Sequence, residues 1–578
     1  MDVAKAVLDK CDGLPLAILA IGGLLASKDV SRIDEWEKIL RSLGGELEGT
    51  GELERVRRIL SLSYNDLPSH LKPCLLYLSI YPEDYLIECN MLILLWVAER
   101  FVEWREGMSI EDVAWGYFSE LVSRNLIQVI GVFYEGLPYT CRIHDLLREV
   151  ILIKSREQNM VTITTGQPMT WPSEKVRRLV LHSSSNSSNI QYHQQRQFYS
   201  FEHLRSFITV TSTNPLLSKT FLCEVLRSSK LLKVLRLKGE EIEETPNEIF
   251  NLLHLTYLNL YGTKVARVPR AIGKLQHLEY LNLGDTGVRE LPVEILKLLK
   301  LRYLIVFQRV DPSDDDYGFH GFKGPSKLGG LLALQVLRTV DASSGSVILK
   351  EIGKLTQLRE LYITQLRRED GKELCSSLVN LTSLRQLSVK SIGKGDDHEI
   401  IDLNHHQHSL SSSSSCSFLQ SLHSNWSGLR AEEDPLESLQ HLPNLGEITF
   451  CGSYQGERLC FKAGGFLKLK ELRLRKMEGL IWMAVEEGAC PHLRTLVLDR
   501  LPSLVDLPSG IQHLSHLQEL GLYEMSSQLM EKVGNQKEDS EDYRRMTHIP
   551  EIVIGFYADD GEWRIRRLWG KKKKTILA

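Results

Sequence analysis

A hydrophobic pattern of the form LxxLxL returns along this chain at a nearly fixed interval, and that interval limits the fold more than any other feature. It starts at Leu232, Leu255, Leu278 and Leu301, 23 residues apart, and again at Leu445, Leu469, Leu493 and Leu517, 24 apart. Leu334, Leu358 and Leu384 start further copies, and looser ones start at Val176, Leu204 and Leu419, about fourteen in all. Each copy predicts a short strand whose alternate leucines enter a core, with a segment such as Val268 to Leu275 closing the opposite wall. One copy cannot bury its own apolar face, so the copies must stack. The expected fold is an α/β leucine-rich-repeat solenoid of about 14 repeats over 176–525.

Two stretches interrupt the period. Asp311 to Lys327 is acidic and contains Gly and Pro, and Gly393 to Ser417 carries His405, His406 and His408 beside a serine run. Both are expected to be mobile loops. The histidines lack acidic or cysteine partners at fixed spacing, so no metal site is expected. The end of the chain, 526–578, reads as a charged tail outside the solenoid, with Arg564, Arg566, Arg567 and Lys571 to Lys574 as its basic run.

Ahead of the repeats the pattern changes to helical spacing. Leu71, Leu75 and Leu78 share a face, Asn90 to Val102 is an apolar helix containing Trp96, and Val113, Tyr117 and Leu121 form another stripe. Two β-like stretches follow, Leu126 to Tyr134 and Tyr139 to Ile143, split by Gly136-Leu137-Pro138. Helices followed by a hairpin predict a winged-helix domain over 57–153, preceded by an α-helical segment over 1–56 and followed by a linker over 154–175. Many winged helices bind DNA, but this one carries Glu83, Asp84, Glu88, Glu99, Glu103, Glu106, Glu111 and Asp112 against few basic residues. Such a surface repels phosphate, so no nucleic acid is expected.

Three motifs stand in order before the repeats: Gly13-Leu14-Pro15-Leu16, then Cys74 to Asp84 with its Tyr81-Pro82-Glu83-Asp84, then Arg142-Ile143-His144-Asp145-Leu146. In this order, ahead of leucine-rich repeats, the segment resembles the NB-ARC module of plant NLR immune receptors of the coiled-coil type. The resemblance implies that Pro15 packs on the adenine of ADP and that His144 contacts its β-phosphate. Ile143 stands where the family has Met, which keeps an apolar anchor there. Read without the family, Pro15 fits the first turn of a helix, where a missing N–H costs nothing, and Asp145 is a candidate helix N-cap.

The sequence contains no GxxxxGK[ST]: none of its Gly-Lys pairs is followed by Ser or Thr. The family's phosphate loop and metal-binding strand are expected to lie upstream of Met1, which makes this an N-terminally truncated receptor. ADP or ATP belongs to the intact family, and this chain alone is expected to hold it weakly and not to act as an enzyme.

The charge balance, 70 basic against 74 acidic residues, gives no global field toward anionic partners. The N-terminus has no signal-peptide pattern and the longest apolar run, Leu14 to Ala26, is too short to span a bilayer, so the expected location is cytoplasmic with the nucleus as alternative. Ten cysteines show no paired spacing and read as free thiols. Sequons at Asn186, Asn380 and Asn425 are discounted for the same lack of a secretory signal.

The residues between the leucines fall on the open face of the strands, which can be listed. Its first column runs Val234, Tyr257, Tyr280, Tyr303, Val336, Glu360, Gln386 and later Glu447, Glu471, Thr495, Glu519, passing from aromatic to acidic. Its second runs Arg236, Asn259, Asn282, Ile305, Arg338, Tyr362 and later Arg473, with Tyr261 and Phe307 extending the aromatic ladder. Tyr and Arg dominate interface energies, and stacked tyrosines also stabilise a sheet. Tyr257, Tyr261, Tyr280, Tyr303, Phe307, Tyr362 and Arg473 are therefore the candidate protein-binding residues. The family resemblance implies a pathogen effector or a guarded host protein as partner, together with an intramolecular contact to the NB-ARC module. A nucleotide-independent leucine-rich adaptor is the alternative.

Overall fold

The structure is a computed structural model and describes residues 15–26, 36–37, 52–132, 138–164, 176–182, 201–210, 217–309, 319–391, 419–425, 436–534 apart from 453 and 455, 541–557 and 563–568. The chain divides into two compact units, Met1–Lys264 and Val265–Ala578.

In the first unit, helix α1 (Pro15–Ala26) packs on α2 (Glu52–Asn65). Its Gly23 lies so close to the end of a later helix that a Cβ there would stand 2.4 Å from the carbonyl oxygen of Arg124. Then come α3 (Leu71–Tyr77), α4 (Cys89–Ala98), α5 (Ile110–Ser123) and α6 (Asp145–Glu157), around an antiparallel sheet of β1 (Ile87–Glu88), β2 (Gln128–Val132) and β3 (Pro138–Arg142) with β3 in the middle. This is a winged helix. The predicted stripes are its core: Leu71, Leu75, Leu78, Trp96, Val113, Tyr117 and Leu121 are all buried. Helix α4 is shorter than the predicted Asn90 to Val102. Arg100 takes a left-handed φ of 63°, and the amides of Arg100 and Phe101 return to the carbonyls of Val97 and Trp96. That pair of bonds is a Schellman stop built on Arg instead of the usual Gly. Ser109 caps α5 by accepting the Asp112 amide at 3.2 Å.

A parallel ladder follows in the same unit: β4 (Thr162–Thr164), β5 (Arg178–His182), β6 (Ser206–Val210), β7 (Val234–Arg236) and β8 (Tyr257–Asn259). Strand β4 falls inside 154–175, which the sequence reads as linker. Its Thr-Ile-Thr lacks the leucines that mark the other strands.

The second unit continues the same construction with β9 (Tyr280–Gly284), β10 (Tyr303–Arg309), β12 (Val336–Asp341), β13 (Glu360–Leu366), β14 (Gln386–Ser391), β15 (Ser421–Asn425), β16 (Glu447–Cys451), β18 (Glu471–Arg475), β20 (Thr495–Asp499), β21 (Glu519–Tyr523) and β22 (Glu551–Tyr557). All fourteen predicted repeats carry a ladder strand. The wall opposite the strands combines single 3-10 turns with short helices, among them Lys219–Ser228 in the first unit and Ser346–Ile352 and Gly371–Leu378 in the second. Asn247–Asn251 in the first unit, and Arg270–Lys274 and Val293–Lys297 in the second, each follow a proline (Pro246, Pro269, Pro292) whose fixed φ suits the entry to a turn.

Two expectations are corrected here. The described part of the insertion, 319–327, is structured: β11 (Phe319–His320) pairs antiparallel with β10, and Phe322 is fully buried. The tail 526–578 is not wholly outside the ladder either. Its β22 pairs in parallel with β21, buries Ile552 and Ile554, and is itself paired antiparallel with β23 (Trp563–Arg567). A parallel two-stranded ladder, β17 (Arg458–Phe461) with β19 (Trp482–Val485), accompanies the late repeats. The histidine-containing stretch Gly393 to Ser417 and the run Lys571 to Lys574 lie outside the described residues.

Candidate functional site

The open face of the first unit is occupied by the winged helix. Val234 and Tyr257 are buried, and Tyr257 Oη donates to Met91 Sδ of α4 at 2.9 Å. Arg236, one column on, is 4% exposed and lies among the phenols of Tyr81, Tyr257 and Tyr85, which favour its charged form. Its Nε and Nη1 have no hydrogen-bond partner among the described residues. Burial drives the Tyr81 phenol far above its usual range, so it stays neutral beside the cation. The sequence places Tyr257 on an open surface. The structure closes that surface, because the apolar face of α4 and the first repeats bury each other.

Two further contacts join the winged helix to the ladder within this unit. Glu99 accepts from Arg178 Nε at 2.7 Å and from the Ser206 hydroxyl, and Arg178 also lies 4.9 Å from the ring of Phe101. His182 Nε2 donates to the Ile80 carbonyl at 2.8 Å, and burial, with Arg148 nearby, lowers its pKa and keeps the ring neutral. Glu99 is thus no surface acid, and neither is Glu111, which is 7% exposed. Tyr261 is half-buried, with Lys238 Nζ 5.3 Å from its ring.

Tyrosines on this face are held by asparagines two residues on. Asn259 donates to Tyr257 Oη at 3.2 Å and accepts from the Tyr261 amide at 3.0 Å. The second unit repeats the device: Asn282 donates to Tyr280 Oη at 3.0 Å and accepts from the Gly284 amide at 2.8 Å. Tyr280 is buried, 5.8 Å from the half-buried ring of Tyr303. Phe307 meets Phe319 of β11 edge-on at 4.8 Å and closes over Gly284, where a Cβ would stand 2.7 Å from its ring. Arg338 donates twice to Glu360 (3.2 and 2.8 Å) while lying 5.1 Å from the centroid of Tyr362. Tyr303, Arg338 and Tyr362 keep part of their surface in solvent.

The acidic end of the first column is in register across strands: Glu447, Glu471, Thr495 and Glu519, and beyond them Glu551 of β22. Glu471 is 1% exposed and bonded to Arg473, while its Oε2 has no hydrogen bond among the described residues. Burial pushes its carboxyl up to about 7; Arg473 opposes the shift, and Glu447 and Glu519 add to it. Glu519 is raised as well, by burial and then by Glu551.

The two residues assigned to nucleotide lie in the first unit. Pro15 opens α1. His144 is the N-cap of α6: its Nδ1 accepts the Leu146 amide at 3.3 Å and the side chain is exposed. Asp145 is therefore the first helical residue and not the cap. Ile143 is buried, the anchor expected of it. No hydrogen bond among the described residues joins α1 to His144. Among the described residues there is also no cluster of three or more His, Cys, Asp or Glu suited to a metal, and no helix long and apolar enough to cross a membrane.

Residues 203–533 match the family model of a leucine-rich repeat region, and residues 80–151 match the disease resistance protein winged helix domain. The chain belongs to the leucine-rich-repeat disease resistance proteins. It is 37% identical to disease resistance protein RPM1 of Arabidopsis thaliana over 97% of this chain and 60% of that protein. It is 31% identical to disease resistance protein RPP8 of the same plant, over 95% and 61%. This member thus spans about 60% of the length of the relatives it matches. Among solved structures it is similar to the Leptospira interrogans LRR protein LIC12759, 20% identical with a TM-score of 0.42, covering 68% of this chain and 97% of that one.

The contact residues missed from sequence are Met91, Glu99, Arg178 and His182. Helix α4 is apolar on nearly every side, so its pattern names no preferred face, and the ladder residues Arg178 and His182 are polar positions of one of the looser copies, which starts on Val176.

Proposed function

We propose that this chain is the sensing portion of a plant innate-immune receptor: its later repeats recognise a pathogen effector or a guarded host protein, and its first repeats restrain the winged helix. The observation that carries this reading is the closure of the first unit's open face by the chain's own α4, through Tyr257 with Met91 and Glu99 with Arg178. A face already filled by its own chain serves restraint. Tyr303, Arg338 and Tyr362, partly exposed and rich in the side chains that dominate interfaces, serve recognition. Pro15 and His144 contribute to ADP only where a phosphate loop completes the site, since the sequence contains none.

In a receptor completed with the upstream half, replacing Tyr303, Arg338 and Tyr362 by alanine is expected to abolish pathogen-triggered cell death in leaf tissue while the protein still accumulates. Replacing Met91 by Glu is expected to release the restraint and give cell death without pathogen. A folded triple variant that still responds would overturn the recognition surface. For the nucleotide, calorimetric titration of this chain with ADP is expected to show no micromolar binding, and a clear micromolar isotherm would overturn that reading.

A further inference from the structure

The winged helix contains three free thiols that the proposed function leaves unused, Cys74, Cys89 and Cys141, and the last two lie on neighbouring elements. Cys89 is the first residue of α4, and Cys141 lies in β3; both are fully buried and unbridged. The register brings them together. Ile87 of β1 faces Cys141 and Glu88 faces Thr140, so Cys89, two residues beyond Ile87, falls on the same side of the sheet as Cys141. Helix α4, which Cys89 opens, packs directly on β3, which carries Cys141.

We propose that Cys89 and Cys141 are a redox-sensitive pair, oxidised by peroxide to a disulfide that ties the first turn of α4 to β3. The pair is chemically unequal. The neighbouring Cys141 side chain lowers the pKa of Cys89, burial opposes this and the backbone amide of the helix start adds to the lowering, while Cys89 and burial both raise that of Cys141. A thiolate at a helix N-terminus is the form that attacks peroxide. Cys89 sulfur attacks one peroxide oxygen; the S–O bond forms, the O–O bond breaks, and the departing hydroxide takes up a proton as water. Cys141 then loses its proton and attacks the sulfenic sulfur; the S–S bond forms, the S–O bond breaks, and a second water leaves. Two thiols lose two hydrogens in total and the peroxide is reduced to two waters.

Access is supplied by β1, only two residues long and preceded by the exposed Leu86. Opening so short a strand costs little compared with global unfolding. The consequence falls on the functional region, because β3 runs directly into Ile143 and His144.

The test uses the full chain treated with equimolar hydrogen peroxide and read by intact mass and peptide mapping. The expected result is loss of the mass of two hydrogens, a cross-linked peptide joining Cys89 to Cys141, and a higher denaturant midpoint that dithiothreitol reverses. The bridge should persist in Cys223→Ser and vanish in Cys141→Ala, which should instead gain one oxygen at Cys89. Peptide mapping of the unsubstituted chain decides the matter if a variant does not fold. Oxygen addition without a cross-link in the unsubstituted chain, a bridge to any other cysteine, or two unreacted thiols would overturn the proposal.

Discussion

Arg178 and Arg236 are both buried in the first unit, and they differ in one respect: Arg178 faces a carboxylate and Arg236 faces phenols. Removing a buried cation from water costs several kcal/mol, and only a well-placed anion offsets it. Breaking the Arg178 pair should therefore be expensive. We expect Glu99→Gln to lose about 3–5 kcal/mol of stability, because it leaves Arg178 buried with a neutral partner. The opposite sign is expected for Arg236→Met, which keeps the length of the side chain and removes an incompletely bonded charge: neutral to stabilising, by up to about 4 kcal/mol. Denaturant midpoints of the two variants, compared with the unsubstituted chain, check both. A loss of similar size from each would show that the tyrosine cluster solvates Arg236 as well as Glu99 solvates Arg178.

Strands β16, β18, β20, β21 and β22 align a column in which four of five residues are glutamates, and the column makes stability depend on pH. Glu471 rises from its usual 4.5 to about 7 in the folded chain. Between these values the native protein holds a proton that the unfolded chain has released, so this group favours folding most below pH 4.5 and loses that contribution as pH rises to about 7. The loss is about 3 kcal/mol for a shift of this size. Glu471→Gln should flatten that part of the stability curve and raise the denaturant midpoint at pH 8 while leaving it nearly unchanged at pH 4. Parallel curves for the two proteins would exclude the effect. The acidic trend was readable from the period alone, as were all fourteen strands, because leucines at fixed spacing report burial directly. Strands β4 and β22 were not readable, since Thr162-Ile163-Thr164 and Glu551 to Tyr557 pair in the ladder without a leucine between them. The cap of α6 was misread by one position for a similar reason: composition favours Asp145, while the backbone leaving β3 enters the helix at His144. The closure over Tyr257 depends on a contact between residues 166 apart, which no local pattern encodes.

The sequence suggests cutting the molecule between a winged helix ending at 153 and repeats beginning at 176, yet the first unit runs without a break in packing from the winged helix into β8. Glu99 with Arg178 and Ser206, Ile80 with His182, and Met91 with Tyr257 all cross that line. A chain beginning at 176 would expose Val234 and Tyr257 to water and leave Arg178 without its carboxylate. Exposed contiguous apolar surface of this kind drives association, and an unpaired half-buried cation weakens the strand that carries it. We therefore expect residues 176–578 to be less soluble and to melt at lower temperature than residues 57–578, with the deficit concentrated in strands β5 to β8. Hydrogen exchange reads this directly. In 57–578 the amides of α4 and of β5 to β8 should open with similar free energies, as parts of one cooperative body. In 176–578 the same strands should exchange much faster, while β16 to β21 of the second unit keep their protection. If β5 to β8 are equally protected in both chains, the winged helix is a passenger on the repeats, and the restraint assigned to this face has no energetic basis.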